Sequence, residues 1–352
     1  MYKKINPLKT KLFRLITQSF KNKNVPILIS NFETKDTVKI LITRPNHRLG
    51  NQLLLSPLIQ EIYNQIPNCK IDLLVNGTLS KILYENYDYV NTIHNLPKKP
   101  FKNLLTYLKV SFKVIRKKYD IGISGCESSN SGKIFLKLSR CQHKIFDSDS
   151  FAVNKPTHIA KYPIYNFKIN LNKVKNEYIN YPKIDLKLSN QEIDIGKQIL
   201  KKLFNDDKKV ITIFTYATGN KRLTEEWWQP LFMKLKSAFP NHNVLEILPK
   251  ENLSQINFKA THYYSEDLRE IASVIENCEL FIGADSGMMH LAVSTNTTTF
   301  GLFKVTSPEI YEPYGNDNVA ILANEISHSE IIKKLKKHCD KVDNRRANVA
   351  SV

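Results

Sequence analysis

Residues 38–75 alternate between strand-length and helix-length apolar patterns, which limits the possible folds more than any other feature. The run 38–43 is rich in β-branched residues and has the length of a strand. After a loop that contains Gly50, apolar residues recur at helical spacing at Leu53, Leu54, Leu58, Ile62 and Ile66. A second strand-length run follows at 71–75. Strand, loop, helix and strand in this order predict a βαβ unit, which places ligands at the carboxyl edge of a parallel sheet.

The same alternation continues along most of the chain. It predicts strands at 90–93, 119–124, 209–214, 243–248, 280–283 and 297–303, and helices at 101–118, 131–139, 191–204, 225–238, 268–277, 288–294 and 329–338. Residues 150–190 lose the pattern and are rich in Asn, Lys, Tyr and Pro, as in a connecting region. We therefore expect an α/β protein with two successive Rossmann-like halves.

We divide the chain into four parts on this basis. The predicted parts are a basic amphipathic N-terminal segment (1–35), a first Rossmann-like domain with its linker (36–180), a second Rossmann-like domain (181–340) and a tail (341–352).

Composition excludes several classes of protein. The 352 residues are 42% hydrophobic and 24% charged, which is typical of a globular chain rather than a disordered one. The apolar runs are too short to span a bilayer, and Lys9, Lys11 and Arg14 interrupt the apolar stretch that a signal peptide would need. The five Cys show no CxxC pair and no metal-ligand spacing with His. We therefore expect reduced thiols and a cytoplasmic location.

The formal net charge is +19, which attracts polyanions such as phosphorylated substrates, anionic lipids or nucleic acid. Two stretches, 1–32 and 98–118, contain many Lys and Arg and no acidic residue. Both also show helical apolar spacing, so each predicts either a helix on an anionic membrane or a core-facing helix with a solvated basic side. For 101–118 we favour the core-facing interpretation, and for 7–20 both remain open.

A loop at residues 283–292 (Gly-Ala-Asp-Ser-Gly-Met-Met-His-Leu-Ala) has the composition of an anion site. It follows a strand, and its candidate binding residues are Asp285, Ser286, Gly287, Met288 and His290. The first two suit a helix N-cap, the glycine permits close approach of a ligand, and the first-turn amides suit a diphosphate. The alternative is an ordinary capped helix with the histidine packed beneath it.

Two further loops follow predicted strands. In 214–228, Thr218 and Lys221 would point toward the carboxyl edge of the sheet, where a lysine can hold a phosphate as a compact charge or simply be a solvated surface residue. In 44–51, His47 and Arg48 lie beside Gly50 on a polar loop, where a core role for the histidine is not expected.

Taken together, these loops resemble glycosyltransferase family 9, the bacterial lipopolysaccharide heptosyltransferases and their relatives. The matching stretches are 48–57, 119–124, 218–228, 283–292 and 303–308, and their order and spacing hold over roughly 38–325. The resemblance implies a GT-B fold, with two Rossmann-like domains facing across a cleft. It also implies an inverting transfer, a nucleotide-sugar donor in the C-terminal domain, an acceptor in the N-terminal domain, and no metal or other cofactor.

The chain departs from the family at one position. The family has Leu-Gly-Asp in the first loop, with the Asp as general base, whereas this chain has Asn51. Because an amide cannot accept a proton at useful pH, we expect Asn51 to orient the acceptor while His47 or Glu127 serves as the base. An impaired enzyme is the other explanation. Arg48 and Gly50 belong to the same acceptor-side loop.

We therefore predict an inverting, metal-independent transfer of a heptose or related sugar to a cell-envelope glycolipid or polysaccharide, as in lipopolysaccharide biosynthesis. The enzyme would be cytoplasmic and peripheral on the inner membrane. One alternative is an inactive paralogue that binds nucleotide-sugar. Another is a basic nucleic-acid-binding protein, but the sequence shows no RRM, KH or zinc-knuckle pattern, so we expect no nucleic-acid partner.

Overall fold

The computed structural model describes the backbone of residues 27–147, 155–171 and 179–350, and side chains up to residue 341. The predicted amphipathic helix at 7–20 lies outside these ranges. The chain divides into two compact units, Met1–Lys187 and Leu188–Val352. The sequence placed this boundary at 180.

Unit 1 contains a five-stranded sheet in which every pair of neighbouring strands is parallel. Its strands are β1 Val38–Thr43, β2 Cys69–Asn76, β3 Val90–Leu96, β4 Lys118–Ser124 and β5 Arg140–Ile145, in the order β3-β2-β1-β4-β5. Its helices are α1 Ser30–Glu33, α2 Leu49–Leu53, α3 Ser56–Gln65, α4 Leu79–Leu83, α5 Leu104–Arg116, α6 Asn130–Leu138 and α7 Lys161–Asn170.

Unit 2 contains a six-stranded sheet that is also parallel throughout. Its strands are β6 Lys209–Phe214, β7 His242–Ile247, β8 Thr261–Tyr263, β9 Leu280–Ala284, β10 Thr298–Phe303 and β11 Val319–Leu322, in the order β11-β10-β9-β6-β7-β8. Its helices are α8 Asn190–Phe204, α9 Glu225–Ala238, α10 Leu268–Glu276, α11 Gly287–Val293, α12 Pro308–Tyr311 and α13 His328–Ala350. The α/β prediction with two parallel sheets is confirmed.

Each sheet has one point where the chain order reverses. In unit 1 this switch point lies between β1 and β4, and in unit 2 it lies between β6 and β9. Ligands of open parallel sheets bind outside the carboxyl ends of the strands at such a point, because the connecting helices leave in opposite directions and open a crevice. We therefore expect a ligand site at the loops that follow these four strands.

The connecting region predicted at 150–190 contains a helix that the sequence analysis missed. Six of the ten residues of α7 are buried: Tyr162, Pro163, Ile164, Tyr165, Asn166 and Phe167. A helix that is buried on most of its circumference has no polar stripe, so it lacks the periodicity on which sequence analysis depends.

The favoured interpretation of residues 101–118 was wrong. The predicted helix exists as α5, but the apolar stripe chosen as its core side is exposed at Leu104, Leu105, Leu108 and Phe112. The side that packs on the core carries Tyr107, Val110 and Val114 instead, and Ile115 is the one residue of the predicted stripe that packs with them. Among the described residues, no helix combines the length and apolar character that crossing a bilayer requires.

Candidate active site

A buried arginine joins the two loops at the switch point of unit 1. Arg44 follows β1 directly and is 3% exposed. Its Nη1 donates a hydrogen bond of 2.9 Å to the carbonyl oxygen of Gly125, which follows β4. Charge-assisted bonds of this kind are strong when water is excluded, so Arg44 fixes the spacing between the two loops.

The buried side chain of Gln52 holds the acceptor-side loop in shape. Its Nε2 donates to the carbonyl oxygens of Asn46 at 2.8 Å and Asn76 at 3.1 Å. Its Oε1 accepts a bond of 2.7 Å from Ser80 Oγ, and Tyr84 Oη donates to its backbone oxygen. Sequence analysis missed this role, for which the only signal is a glutamine directly after Gly50-Asn51 in a segment that is otherwise apolar.

The predicted acceptor-side residues share one short loop and the first turn of α2. His47 and Arg48 are exposed, and the backbone N–H of Arg48 donates to Asn46 Oδ1 at 2.9 Å in a turn that fixes the entry to α2. Gly50 is buried and Asn51 is half-buried. The structure therefore brings all four residues to the carboxyl end of β1.

Glu127, the second candidate for the general base, lies on the loop after β4, the strand beside β1. Its side chain is about half exposed and forms an ion pair of 2.6 Å with Lys155 Nζ. Glu127 and His47 thus follow neighbouring strands at the same edge of the sheet. Whether either removes a proton from the acceptor stays a prediction.

A close ion pair at the switch point of unit 2 joins the loop after β6 to the loop after β9. Lys221 Nζ lies 2.6 Å from Asp285 Oδ2, and the aspartate is 2% exposed while the lysine remains one-third exposed. Thr306 Oγ1, from the loop after β10, donates to the same carboxylate oxygen. The lysine also lies 5.5 Å from the centroid of the Tyr311 ring. Three loops and α12 therefore hold one partly accessible ammonium group in place.

Two more cations accompany Lys221. The Arg222 guanidinium lies over the Tyr216 ring at 4.5 Å, and its Nε donates to the carbonyl oxygen of Ala217 at 3.0 Å. Lys304 Nζ donates to the carbonyl oxygen of Arg222 at 3.0 Å. Sequence analysis missed Arg222, Lys304 and Thr306 as site residues. The signal for Lys304 and Thr306 was their position directly after β10, which ends at Phe303, whereas Arg222 was marked only by being next to Lys221.

The loop after β9 forms the capped helix that the sequence predicts. Ser286 is the N-cap of α11, and its Oγ accepts from the Met289 N–H at 3.4 Å. The amides of Gly287 and Met288 belong to the first turn, where an α-helix offers no carbonyl partner. His290 is 4% exposed, as in the alternative of an ordinary capped helix. A phosphate contact for His290 stays a prediction, as does one for Thr218, which is exposed.

A buried carboxyl group supports the loop beside this site. Glu246 on β7 is fully buried and accepts hydrogen bonds of 2.7 Å from Thr215 Oγ1 and from Ser254 Oγ. Burial raises the pKa of Glu246, while the two hydroxyl groups oppose the shift. Because Thr215 follows β6 directly, this contact links the start of the Lys221 loop to the segment around Ser254.

Within residues 27–147, 155–171 and 179–341, no group of three or more His, Cys, Asp or Glu side chains is placed to hold a metal ion. Metal independence remains a prediction.

Comparisons with solved structures show the fold. A glycosyl transferase family 9 structure from Veillonella parvula matches with a TM-score of 0.67 and 17% identity, covering 85% of this chain and 89% of that one. The structure of the heptosyltransferase WaaC of Escherichia coli with ADP matches with a TM-score of 0.64 and 14% identity, covering 85% and 99%. The predicted GT-B class with two Rossmann-like domains is confirmed.

Sequence comparisons show the family. Lipopolysaccharide heptosyltransferase 3 of Escherichia coli is 22% identical over 310 residues, which are 78% of this chain and 86% of the relative. The sequence profile of glycosyltransferase family 9 (heptosyltransferase) matches residues 112–341, so the acceptor-side loop with Asn51 lies outside the matched range. Because the match covers most of the chain, including every residue proposed to bind the donor, this protein belongs to glycosyltransferase family 9 and is a heptosyltransferase-like glycosyltransferase.

Proposed function

We propose that this protein transfers a heptose or related sugar, with inversion and without a metal ion, from a nucleotide-sugar to a cell-envelope glycolipid or polysaccharide. The observation that carries the proposal is the ammonium group of Lys221, held by Asp285 at the switch point of unit 2. A solved relative contains ADP, and a curated relative is a lipopolysaccharide heptosyltransferase. We therefore expect an ADP-sugar donor and an acceptor of the lipopolysaccharide type.

Lys221 would bind the diphosphate of the donor. An ammonium group has three hydrogen-bond donors, and Asp285 occupies one of them, so two remain for phosphate oxygens. The carboxylate fixes the position of the charge before the donor arrives, and such preorganised charge stabilises the negative charge that develops on the leaving nucleoside diphosphate. The first-turn amides at Gly287 and Met288 would add donors beside it.

The transfer forms a bond between the acceptor oxygen and the anomeric carbon and breaks the bond between that carbon and the diphosphate oxygen. The proton of the acceptor hydroxyl goes to His47 or Glu127, and Asn51 orients the hydroxyl without accepting the proton. Arg48 and Gly50 would contribute to the surface that the acceptor meets.

A lipid-borne acceptor would require the protein to work as a peripheral protein on the cytoplasmic face of the inner membrane. We propose no nucleic-acid partner, because an anionic membrane and phosphorylated substrates would account for the net charge of +19. The second candidate function is a nucleotide-sugar-binding protein without turnover. The amide at position 51 is the observation that favours it.

The experiment is a thermal-shift panel of ADP-, GDP- and UDP-sugars, followed by a transfer assay with the stabilising donor. A donor at about 100 times its dissociation constant should add ~2.7 kcal/mol to the free energy of unfolding. Lys221→Ala should cost roughly 1.5–3 kcal/mol of donor binding, because it removes a charged hydrogen bond. Lys201→Ala, an exposed lysine on α8, is the matched control.

Unchanged donor affinity in Lys221→Ala would contradict the donor site. Donor binding in the wild type without transfer to any lipopolysaccharide-type acceptor would favour the inactive paralogue.

A further inference from the structure

Helix α5 exposes an apolar stripe where a surface helix normally exposes polar residues. Leu105 is 84% exposed, Phe112 55%, Leu104 51% and Leu108 41%. Phe101, in the turn before the helix, is 83% exposed. Contiguous exposed apolar residues of this size mark interaction surfaces on soluble proteins.

The stripe points away from the core of unit 1. At about 100° per residue, Leu104, Leu105, Leu108 and Phe112 fall within one third of the helix circumference. Tyr107, Val110 and Val114 lie on the other side, and they pack against the core cluster that includes Leu41 and Phe135. Ile115, near the end of the stripe's sector, also packs against this cluster, whereas Leu104, Leu105, Leu108 and Phe112 remain exposed and are left to another partner.

Basic side chains run beside the stripe. Lys109, Lys113 and Arg116 are exposed and occupy the next sector of the helix, and the Arg116 guanidinium lies 5.7 Å from the centroid of the Phe112 ring. Eight Lys or Arg residues lie between 98 and 118 without one acidic residue. We name the set of Leu104, Leu105, Leu108, Lys109, Phe112, Lys113 and Arg116 the outer face of α5.

We propose that the outer face of α5 binds an anionic lipid bilayer, with its leucines and phenylalanine inserted among the headgroups and its cations on lipid phosphates. A helix with an apolar stripe beside a basic stripe lies in the interface plane of such a membrane. Charge complementarity selects this partner over a second copy of the chain, because two copies of an acid-free basic face repel each other.

The basic segment begins next to the acceptor-side loop. A Cβ built on Gly77 would lie 2.8 Å from Lys98 Cε and 3.9 Å from His47 Cβ, so Lys98 and His47 flank the same backbone position. On the proposed function, a membrane-bound outer face would keep this loop near a lipid-borne acceptor.

The first test is co-sedimentation of the full-length protein with phosphatidylglycerol-containing vesicles and with phosphatidylcholine vesicles. The proposal expects binding to the anionic vesicles that weakens at high salt. Lys109→Gln/Lys113→Gln/Arg116→Gln should lower the partition coefficient by ~10²-fold, since each cation near an anionic surface contributes about fivefold or more. Leu104→Ser/Leu105→Ser/Leu108→Ser should lower it by about tenfold or more.

The matched control is Lys197→Gln/Lys201→Gln/Lys202→Gln, which removes three exposed cations from α8 and should leave binding nearly unchanged. If the control loses as much vesicle binding as the α5 variants, net charge alone causes the binding, and the proposal is overturned. Wild-type binding in both α5 variants would also overturn it. So would a wild-type dimer that the leucine variant converts to monomers, because the face would then bind a second copy.

A second measurement reports insertion directly. Leu105→Trp should show a blue-shifted emission and quenching by brominated lipids that the wild type, with only Trp227 and Trp228, does not show. An indole that stays quenchable by aqueous iodide in the presence of anionic vesicles would refute insertion.

The experiments can reject the membrane-binding surface and the proposed function independently of each other. If both hold, the α5 variants transfer sugar normally to a deacylated, water-soluble acceptor and lose turnover only with a vesicle-embedded one. Vesicle binding without any transfer in the wild type would reject the proposed function and keep the surface. Transfer by the α5 variants at the wild-type rate on vesicle-embedded acceptor, with wild-type vesicle binding, would reject the surface alone.

Discussion

The side chain at position 51 decides whether the acceptor-side loop offers a base or only hydrogen bonds. Asn51 lies half-buried in the first turn of α2, and the side chain of the next residue, Gln52, bonds this helix to the backbone of Asn46 and Asn76. Because Asn and Asp have nearly the same shape, Asn51→Asp changes the charge at this site and leaves the packing almost unaltered. The substitution therefore isolates the chemistry of one atom.

We expect Asn51→Asp to lower the transfer rate, because it removes an N–H donor and adds a second carboxylate at the sheet edge where Glu127 also lies. In the enzyme that retains Asn51, either His47→Ala or Glu127→Gln should abolish most of the transfer rate, since a positioned base contributes ~10²–10⁴-fold. Steady-state turnover with one verified donor and acceptor measures all three variants. A faster Asn51→Asp enzyme in which His47 and Glu127 are dispensable would contradict the proposal that one of these two residues is the general base.

At this scale the sequence predicted the positions of the candidate residues better than their contacts. Lys221 and Asp285 were both singled out, but their 2.6 Å ion pair joins residues 64 positions apart and has no signal in a single sequence. Arg44 and Gln52 shape the first loop through buried hydrogen bonds to carbonyl oxygens, and such bonds depend on the fold as a whole. The sequence therefore predicted the residue types and their positions after the strands, but not their hydrogen-bond and ion-pair partners.

At the scale of elements, α8 and α10 are joined by both close packing and charge. A Cβ on Gly196 of α8 would lie 2.2 Å from the carbonyl oxygen of Ser273 on α10, so only glycine permits this approach. At the start of α8, Ser189 and Glu192 form a reciprocal capping box. Glu192 also accepts two hydrogen bonds from Arg269 of α10, from Nε and, at 3.0 Å, from Nη2.

This pair predicts an acid-sensitive contribution to stability. The hydrogen bonds from Arg269 lower the pKa of Glu192 from 4.5 to about 2. Because the folded pKa lies below the unfolded one, the stabilisation is fully present above pH 4.5 and is lost as pH falls toward 2. Glu192→Gln should cost roughly 1–3 kcal/mol of unfolding free energy at neutral pH, allowing for solvent screening of a partly exposed pair.

Urea unfolding monitored between neutral pH and pH 3.5 tests this, with the exposed Glu251→Gln as control. The difference between wild type and Glu192→Gln should shrink as pH falls below about 4.5, because the wild-type advantage disappears on protonation. A difference that stays constant over this range would show that folding does not lower the pKa of Glu192, and would contradict the prediction.

The elements predicted best are those with the strongest local patterns. The bounds of β1, β6 and α9 agree with the prediction to the residue, because β-branched runs and a Thr-Glu-Glu helix start mark them locally. The short edge strands β8 and β11 were missed, since three or four residues give no periodicity. For α5 the pattern identified the helix but not its buried side, because two stripes compete and only tertiary packing selects one.

At the scale of the molecule, residues 183–187 show why the first unit extends beyond the boundary placed at 180. Gln60 Nε2 donates to the carbonyl oxygen of Lys183 at 2.9 Å, and Tyr87 Oη donates to that of Asp185 at 2.8 Å. Ile184 and Leu186 between them are fully buried. This segment has the composition of a linker but packs as part of unit 1, so composition alone could not place the division after Lys187.

The last prediction concerns residues 188–352 expressed alone. Unit 2 contains a complete six-stranded sheet, its own core around Trp228 and Phe300, and every proposed donor-binding residue. It should therefore fold in one cooperative transition and bind the nucleoside diphosphate with an affinity close to that of the whole chain, while transferring no sugar. A version that starts at residue 181 should be no more stable, because Ile184 and Leu186 would lose the partners that bury them.

Calorimetric unfolding measures the stability of these fragments, and titration with the nucleoside diphosphate measures their affinity. An unfolded 188–352 beside a folded 181–352 would refute the boundary, and a folded fragment that binds no diphosphate would show that the donor site needs residues of unit 1.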